Sequence, residues 1–261
     1  MSADAVLRAF GMELDKAFVS GVPVEPLSAR GVALDIAAAY RIQTFMLARR
    51  ISVGVPVVGR KIGATSAAVQ KAVGIDQPDF GLLLGDCAFG SGAAIDHARF
   101  IQPRAEGEIA FVLSRDLAGP GITAADVLAA VDHVAPCIEI VDSRIADWRI
   151  GIIDTIADNA SCGAFVIGSD RVDPSRLDLA ACRMQMRRNG SQAAEGFGSA
   201  SLGHPANAVA WLANTLGALD ETLKAGEPIL SGSLGPLVPV ARGDRFELTI
   251  EGIGSCSVAF D

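Results

Sequence analysis

The chain has 261 residues, half of them hydrophobic and 20% charged, with a formal net charge of −8. That length and apolar content suit a compact fold with a sizeable core and exclude a disordered chain. The acidic balance excludes a phosphate-tracking surface, which needs clustered Lys and Arg.

The first fifty residues read as helical. Over "SADAVLRAFGMELDKAFVSG", Val6, Phe10, Leu14 and Phe18 recur at helical spacing and Gly21 ends the run. This opening is amphipathic and interrupted by charge, unlike a secretory leader, so a cytoplasmic location is expected. A second, Ala-rich helix is predicted over "VALDIAAAYRIQTFMLARRIS", followed by Gly54 and Pro56. No apolar run has the length of a membrane span.

From Pro56 the texture changes to short apolar runs broken by Gly, Pro and Asp. Strands are predicted in "VPVVGRKIG", "FGLLLGD", "EIAFVLSRD", "CIEIVDSRI", "CGAFVIGS", "CRMQMRRNG", "PILSGSLG" and "DRFELTIEGIGSCSVAF". "TAADVLAAVDHV", with a Thr cap, and "HPANAVAWLANTLGAL", with Pro near its start, predict two further helices. Strand and helix do not alternate as in a doubly wound sheet, so an α+β fold is expected. The expected division is a helical cap over 1–55 on a β-rich body over 56–261, together one structural unit. "GSGAA" lacks the dinucleotide-binding glycine pattern, no G-x-S-x-G elbow is present, and "MRRNG" reads as a solvated turn.

Five scattered cysteines without a C-x-x-C pair read as reduced thiols, and zinc held by cysteine is disfavoured. With only three histidines, any metal site must rely on oxygen ligands and would hold a hard cation. "AEGEIAFVL" supplies the first candidates. Strand alternation puts Glu106 and Glu108 on one face and Ile109 and Phe111 on the other. Two adjacent carboxylates on one face either point to water or share a neutralising cation. Glu139, flanked by Ile138 and Ile140, faces the same choice, because an unpaired buried carboxylate is costly. Asp142 is a weaker candidate, alternatively a salt-bridge partner of Arg144.

Lys61 in "VVGRKIGATS" is either a strand-end surface residue or a partly buried ammonium with a lowered pKa. Asp79 follows Pro78 and is either a turn residue or an acid/base group. Asp154, Asp158, Asn159 and Ser161 form a polar run that either orients a ligand or makes a turn, and His204 reads as a helix cap. Ser231 and Ser233 flank Gly232 in a tight turn whose backbone could approach an anion.

Taken in order, "GRKIGATS", "QPDFG", "QPRAEGEIAFVL", "IEIVDSRIADW", "DTIADNASCG", "LGHPANAVAWLAN" and "GDRFELTIEGIGS" resemble the 2-keto-4-pentenoate (2-hydroxypenta-2,4-dienoate) hydratases of the fumarylacetoacetate hydrolase-like superfamily. The resemblance runs from about Ala39 to the C-terminus. It implies a mixed β-sandwich or β-roll with an N-terminal helical part. It implies magnesium or manganese at Glu106, Glu108 and Glu139, an active-site Lys61, an acid at Asp79, and ligand contacts from Ser161 and Ser233. It also implies a homo-oligomer, and association with a pathway aldolase is a further expectation. The implied reaction is hydration of 2-hydroxypenta-2,4-dienoate to 4-hydroxy-2-oxopentanoate in meta-cleavage degradation of aromatic compounds. Metal-assisted ketonisation would precede Michael addition of water, with the proton-transfer roles of Lys61 and Asp79 left open. The alternatives are 4-oxalocrotonate decarboxylase and 2-oxohept-4-ene-1,7-dioate hydratase, which the glutamates and the lysine do not discriminate.

Overall fold

The computed structural model describes residues 2–66, 70–71 and 77–261. Two long helices come first, α1 (Ala3–Ser20) and α2 (Ile36–Ser52). Ser2 and Asp35 cap their N-termini, and Gly21 ends α1 in the left-handed conformation, φ 68°. The buried stripe of α1 is Leu7, Gly11, Leu14 and Ala17. It is rotated from the expected one: Phe10 and Phe18 lie at its margins, beneath the guanidinium groups of Arg30 and Arg50. Close packing on α2 decides this, because a Cβ on Gly11 would sit 2.5 Å from Phe45 Cβ.

Thirteen strands follow among the described residues: β1 (Val57–Gly63), β2 (Asp79–Leu84), β3 (Ala88–Gly90), β4 (Ala93–Ile95), β5 (Arg104–Leu113), β6 (Val131–Val141), β7 (Cys162–Ile167), β8 (Arg183–Arg188), β9 (Ser191–Phe197), β10 (Pro228–Leu230), β11 (Val238–Pro239), β12 (Arg245–Ile250) and β13 (Gly254–Phe260). They form two mixed sheets. The larger runs β2-β1-β10-β5-β6-β7-β3 with β11 also on β5, and the smaller runs β4-β13-β12-β8-β9. One face of the large sheet, with Ile109, Phe111, Ile138 and Ile140, packs with Met184, Phe246, Leu248 and Phe260 of the small sheet in one apolar core. Gly107 also faces that core, since a Cβ there would lie 2.6 Å from Leu248 Cδ1. Glu106, Glu108 and Glu139 therefore project from the opposite face of the large sheet. This is the expected α+β, sandwich-like architecture.

Two local readings are corrected. The helix expected through "AAVDHV" covers only Ala124–Leu128, with a Thr123–Asp126 capping box. Val131 to Val134 open β6 instead, paired with β5 from Leu113↔Val131 onward. The β-branched Val131 and Val134 suit a strand, and the ten-residue β5 supplies the pairing. The polar run before β7 contains a short helix, Ile152–Ala157. "RNG" is a hairpin turn between β8 and β9, with Asn189 and Gly190 at φ 53° and 80°. All five cysteines are free and buried.

Candidate active site

Register builds the carboxylate cluster. β5 and β6 are antiparallel with Glu106 directly opposite Glu139, and Glu108 stands one alternation further along β5. One oxygen from each of the three lies within 4.8 Å of the others. All three residues are buried, so the solvent-facing alternative is excluded. Glu108 Oε2 accepts from the Gly232 N–H at 2.7 Å, while Glu108 Oε1 and Glu139 Oε2 have no hydrogen-bond partner among the described residues. Burial pushes all three carboxyls above the ordinary range, and Glu139 adds like-charge repulsion on Glu106 and Glu108. Gly232 is required twice over: its φ is +93°, and a Cβ would lie 2.2 Å from Thr65 Oγ1.

Lys61 reaches this cluster from β1. It is buried, its Nζ lies 3.2 Å from Glu139 Oε1 and donates to Ala160 O at 2.9 Å. Burial alone would pull its pKa down, but Glu139, Glu106, Asp79 and Glu108 more than offset that and the net shift is upward. The expected lowered lysine pKa is thus corrected: in the protein by itself Lys61 is a firmly charged ammonium. Asp79, at the start of β2, pairs in register with Gly63. A Cβ on Gly63 would sit 2.2 Å from Asp79 Oδ1 and 3.4 Å from Lys61 Nζ. Both charged groups therefore converge on the space that the missing side chain leaves. Asp79 Oδ2 accepts from Thr155 Oγ1 at 3.1 Å, and burial raises its pKa against the pull of Lys61.

The segment from Asp142 to Cys162 closes the site. Asn159, Ala160 and Ser161 are three consecutive non-glycine residues in the left-handed region, at φ 54°, 50° and 54°. Such a conformation costs about 1–2 kcal/mol per residue and persists only where the surroundings over-determine it. Here the Asn159 side chain bridges Leu82 N and O at 2.8 and 3.0 Å, and Ser161 O accepts from Asp142 N at 2.8 Å. The turn aims Ala160 O at Lys61 and brings Ser161 to the cavity, its Oγ without a hydrogen-bond partner among the described residues. Fully buried Arg144 pins the turn. Its Nε contacts Asp158 Oδ1, its backbone N–H donates to Asp158 Oδ2 at 2.8 Å, and its Nη1 donates to Cys162 O at 2.9 Å. Arg144 thus pairs with Asp158, not with the Asp142 carboxylate, which accepts from Ile101 N and Gln102 N. Asp158→Ala leaves the guanidinium buried and unpaired, and the expected loss is about 3–5 kcal/mol of unfolding free energy in urea titration. A loss under about 1 kcal/mol contradicts this role.

The N-terminal helices brace the same region. Gln43 Nε2 donates to both Phe80 O and Ile156 O at 3.0 Å, Tyr40 stacks on Phe80, and Asp154 accepts from Ser28 N and Oγ. Gln43 thereby ties the strand that carries Asp79 to the helix that carries Thr155. These groups surround a cavity of about 590 Å³, lined by Lys61, Asp79, Glu106, Thr155, Ser161 and Ser233 and by apolar Val141, Trp148, Ile150, Pro236 and Leu237. Ser233 Oγ donates to Gly235 O at 2.7 Å. Ser231 is buried outside the cavity lining, and His204 caps the helix Pro205–Gly217 through Nδ1.

Thr155 and Trp148 were not among the candidates read from the sequence. A Thr inside a polar run and a Trp after Asp carry no pattern of their own. Only the fold turns them toward the cavity.

A fold of this kind has known counterparts. The fumarylacetoacetate hydrolase C-terminal profile matches residues 58–260. The chain belongs to this family. Within it, the chain is 55% identical over 262 aligned positions to a 2-hydroxyhexa-2,4-dienoate hydratase of Comamonas testosteroni, covering 100% of this chain and 99% of that one. It is 49% identical to a 2-keto-4-pentenoate hydratase of Paraburkholderia xenovorans, covering 95% of this chain and 92% of the relative. Among solved structures, 4-oxalocrotonate decarboxylase from Pseudomonas putida G7, complexed with magnesium and adipate, superposes with a TM-score of 0.96 at 32% identity, over 100% of this chain and 99% of that one.

Proposed function

We propose that this protein is a divalent-metal-dependent hydro-lyase that hydrates 2-hydroxypenta-2,4-dienoate (2-keto-4-pentenoate) to 4-hydroxy-2-oxopentanoate in the meta-cleavage degradation of aromatic compounds. The observation that carries the reading is the convergence of Glu106, Glu108 and Glu139, the last two with unpartnered oxygens, beside Lys61 at a cavity that Glu106 and Lys61 line and that is sized for a small acid. Hydratase relatives at 55% and 49% identity support it.

The three carboxylates fit a hard cation: all donors are oxygen, all are buried, and three like charges need neutralising. Magnesium or manganese is the ion we assign. When bound, such an ion supplies Lewis-acid polarisation of the substrate's carboxylate and C2 oxygens. The chain's own groups do the rest. Ketonisation moves the enol proton to C5, and water then adds its hydroxyl to C4 and a proton to C3. The Lys61 ammonium, held by Ala160 O and Glu139, stabilises the negative charge that builds on the C2 oxygen during addition. Asp79, with a raised pKa, carries protons to or from the carbon chain, and Thr155 holds its carboxyl in place. Ser161 and Ser233 contact the substrate from the cavity wall.

The decarboxylase reading draws on the 0.96 superposition. A dicarboxylate, whether 4-oxalocrotonate or 2-oxohept-4-ene-1,7-dioate, needs a cation for its second carboxylate. Lys61 is the only cation among the described lining residues, which favours the monocarboxylate. We further infer that residues 1–55 act as a cap on a 56–261 catalytic body, that the protein is a cytoplasmic homo-oligomer, and that a pathway aldolase consumes its product in association with it. Among the described residues no helix is long and apolar enough to cross a membrane.

The test is decay of the dienol ultraviolet absorbance. Purified protein with magnesium or manganese should accelerate it, and chelation should return it to background. Background decay in the presence of metal contradicts the hydratase reading. A second expectation concerns stability. Without divalent ions the buried glutamates hold protons that the unfolded chain has released, Glu106 titrating at about 7 against an ordinary 4.5. Their contribution is therefore full below pH 4.5 and lost as pH rises through about 7. Melting in chelator should drop between pH 5 and 8, and saturating magnesium should remove most of that slope. A chelator slope that is flat or rises with pH contradicts the cluster's electrostatics.

A further inference from the structure

Trp148 stands in the cavity wall on a backbone that bulky residues rarely adopt: Asp147 and Trp148 are both left-handed, at φ 58° and 54°. The indole is fixed from two further sides. Its Nε1 donates to Gln102 O at 3.0 Å, and the Arg104 guanidinium lies 4.4 Å from the ring centroid. That guanidinium makes no ion pair or hydrogen bond among the described residues, so the ring is its principal partner.

Strand register says what this wall faces. Arg104, Glu106 and Glu108 alternate onto one face of β5, opposite Val141, Glu139 and Cys137 of β6. The Glu108–Cys137 rung is fully buried and closed by the Gly232 N–H. The Arg104–Val141 rung lies two residues the other way, roughly 7 Å along the strand. A substrate seated beside Glu106 and Lys61 can extend in that direction, toward Val141 and Trp148, both of which line the cavity.

Resting on the hydratase reading, we propose that Trp148 is the specificity-determining wall for the C5 end of the substrate. It admits a hydrogen or short alkyl group there and shuts out longer chains, and Arg104 acts as its positioning residue.

The experiment compares kcat/KM for 2-hydroxypenta-2,4-dienoate with that for its C5-propyl analogue, 2-hydroxyocta-2,4-dienoate. Trp148→Ala should shift the ratio toward the longer substrate by about tenfold or more, whereas Trp148→Phe should stay within about threefold of the parent. An unchanged ratio in a folded Trp148→Ala protein overturns the proposal. A binding readout separates it from the hydratase reading. In a Trp211→Phe background Trp148 is the remaining indole, and its emission should change on titration with 2-oxopentanoate in the presence of magnesium. No change in emission overturns the placement of Trp148. A changed emission in a protein that hydrates no dienoate leaves the wall in place and overturns the hydratase reading instead.

Discussion

Lys61→Met should lower kcat/KM for the dienoate by about 10²–10³-fold, the usual cost of removing one preorganised group that stabilises a developing oxyanion. The substitution keeps the apolar stem of the side chain out to its ε position and deletes the ammonium, with its charge and its hydrogen bond to Ala160 O. Divalent-ion affinity should hold or rise in the same variant, because the deleted ammonium lies 3.2 Å from a carboxylate that the ion would share. The opposite signs are the point. A merely structural lysine, whose loss loosens Ala160 O and the left-handed turn, would lower activity, metal affinity and melting temperature together. Turnover kinetics and calorimetric metal titration on one preparation separate the two accounts.

Glu106→Gln should cut magnesium or manganese affinity by at least about 100-fold, since even outer partners of metal ligands cost about 10–100-fold. The fold should survive, because Gln is isosteric and stays neutral where a buried carboxyl must either hold a proton or repel its neighbours. Stripped of divalent ions, the variant should therefore melt higher than the parent. Relief of about 1 kcal/mol corresponds to roughly 2–4 °C in a chain of this size. A variant that binds metal as tightly as the parent removes Glu106 from the ligand set. One that is less stable without metal contradicts the burial and like-charge cost that motivates the assignment.

Some of this site was open to reading in the residues alone. Period-two alternation put Glu106 and Glu108 on one face, and the scarcity of histidine pointed to oxygen ligands. Alternation could not say whether that face met water, because both faces of β5 are covered and only the burial in the folded chain shows it. Lys61 in "KIG" was ambiguous for a related reason. The glycine after it makes room for Asp79, a contact between two strands that local pattern does not encode. The left-handed turn at Asn159–Ala160–Ser161 was hidden more deeply. Asn tolerates that conformation, but Ala and Ser do so only because Arg144, Asp158 and Leu82 hold the turn from elsewhere in the chain. The same applies to α1, where Leu7 and Leu14 took the core and Phe10 and Phe18 went beneath arginines. The apolar spacing fitted either face, and contact with α2 chose between them.

Product identification tests the central claim most directly. The protein with magnesium is incubated separately with 2-hydroxypenta-2,4-dienoate and with 4-oxalocrotonate, and the products are read by NMR together with CO2 release. The account predicts 4-hydroxy-2-oxopentanoate from the first, with the new hydroxyl at C4, and no CO2 above background from the second. CO2 from 4-oxalocrotonate with an unconsumed dienoate contradicts it.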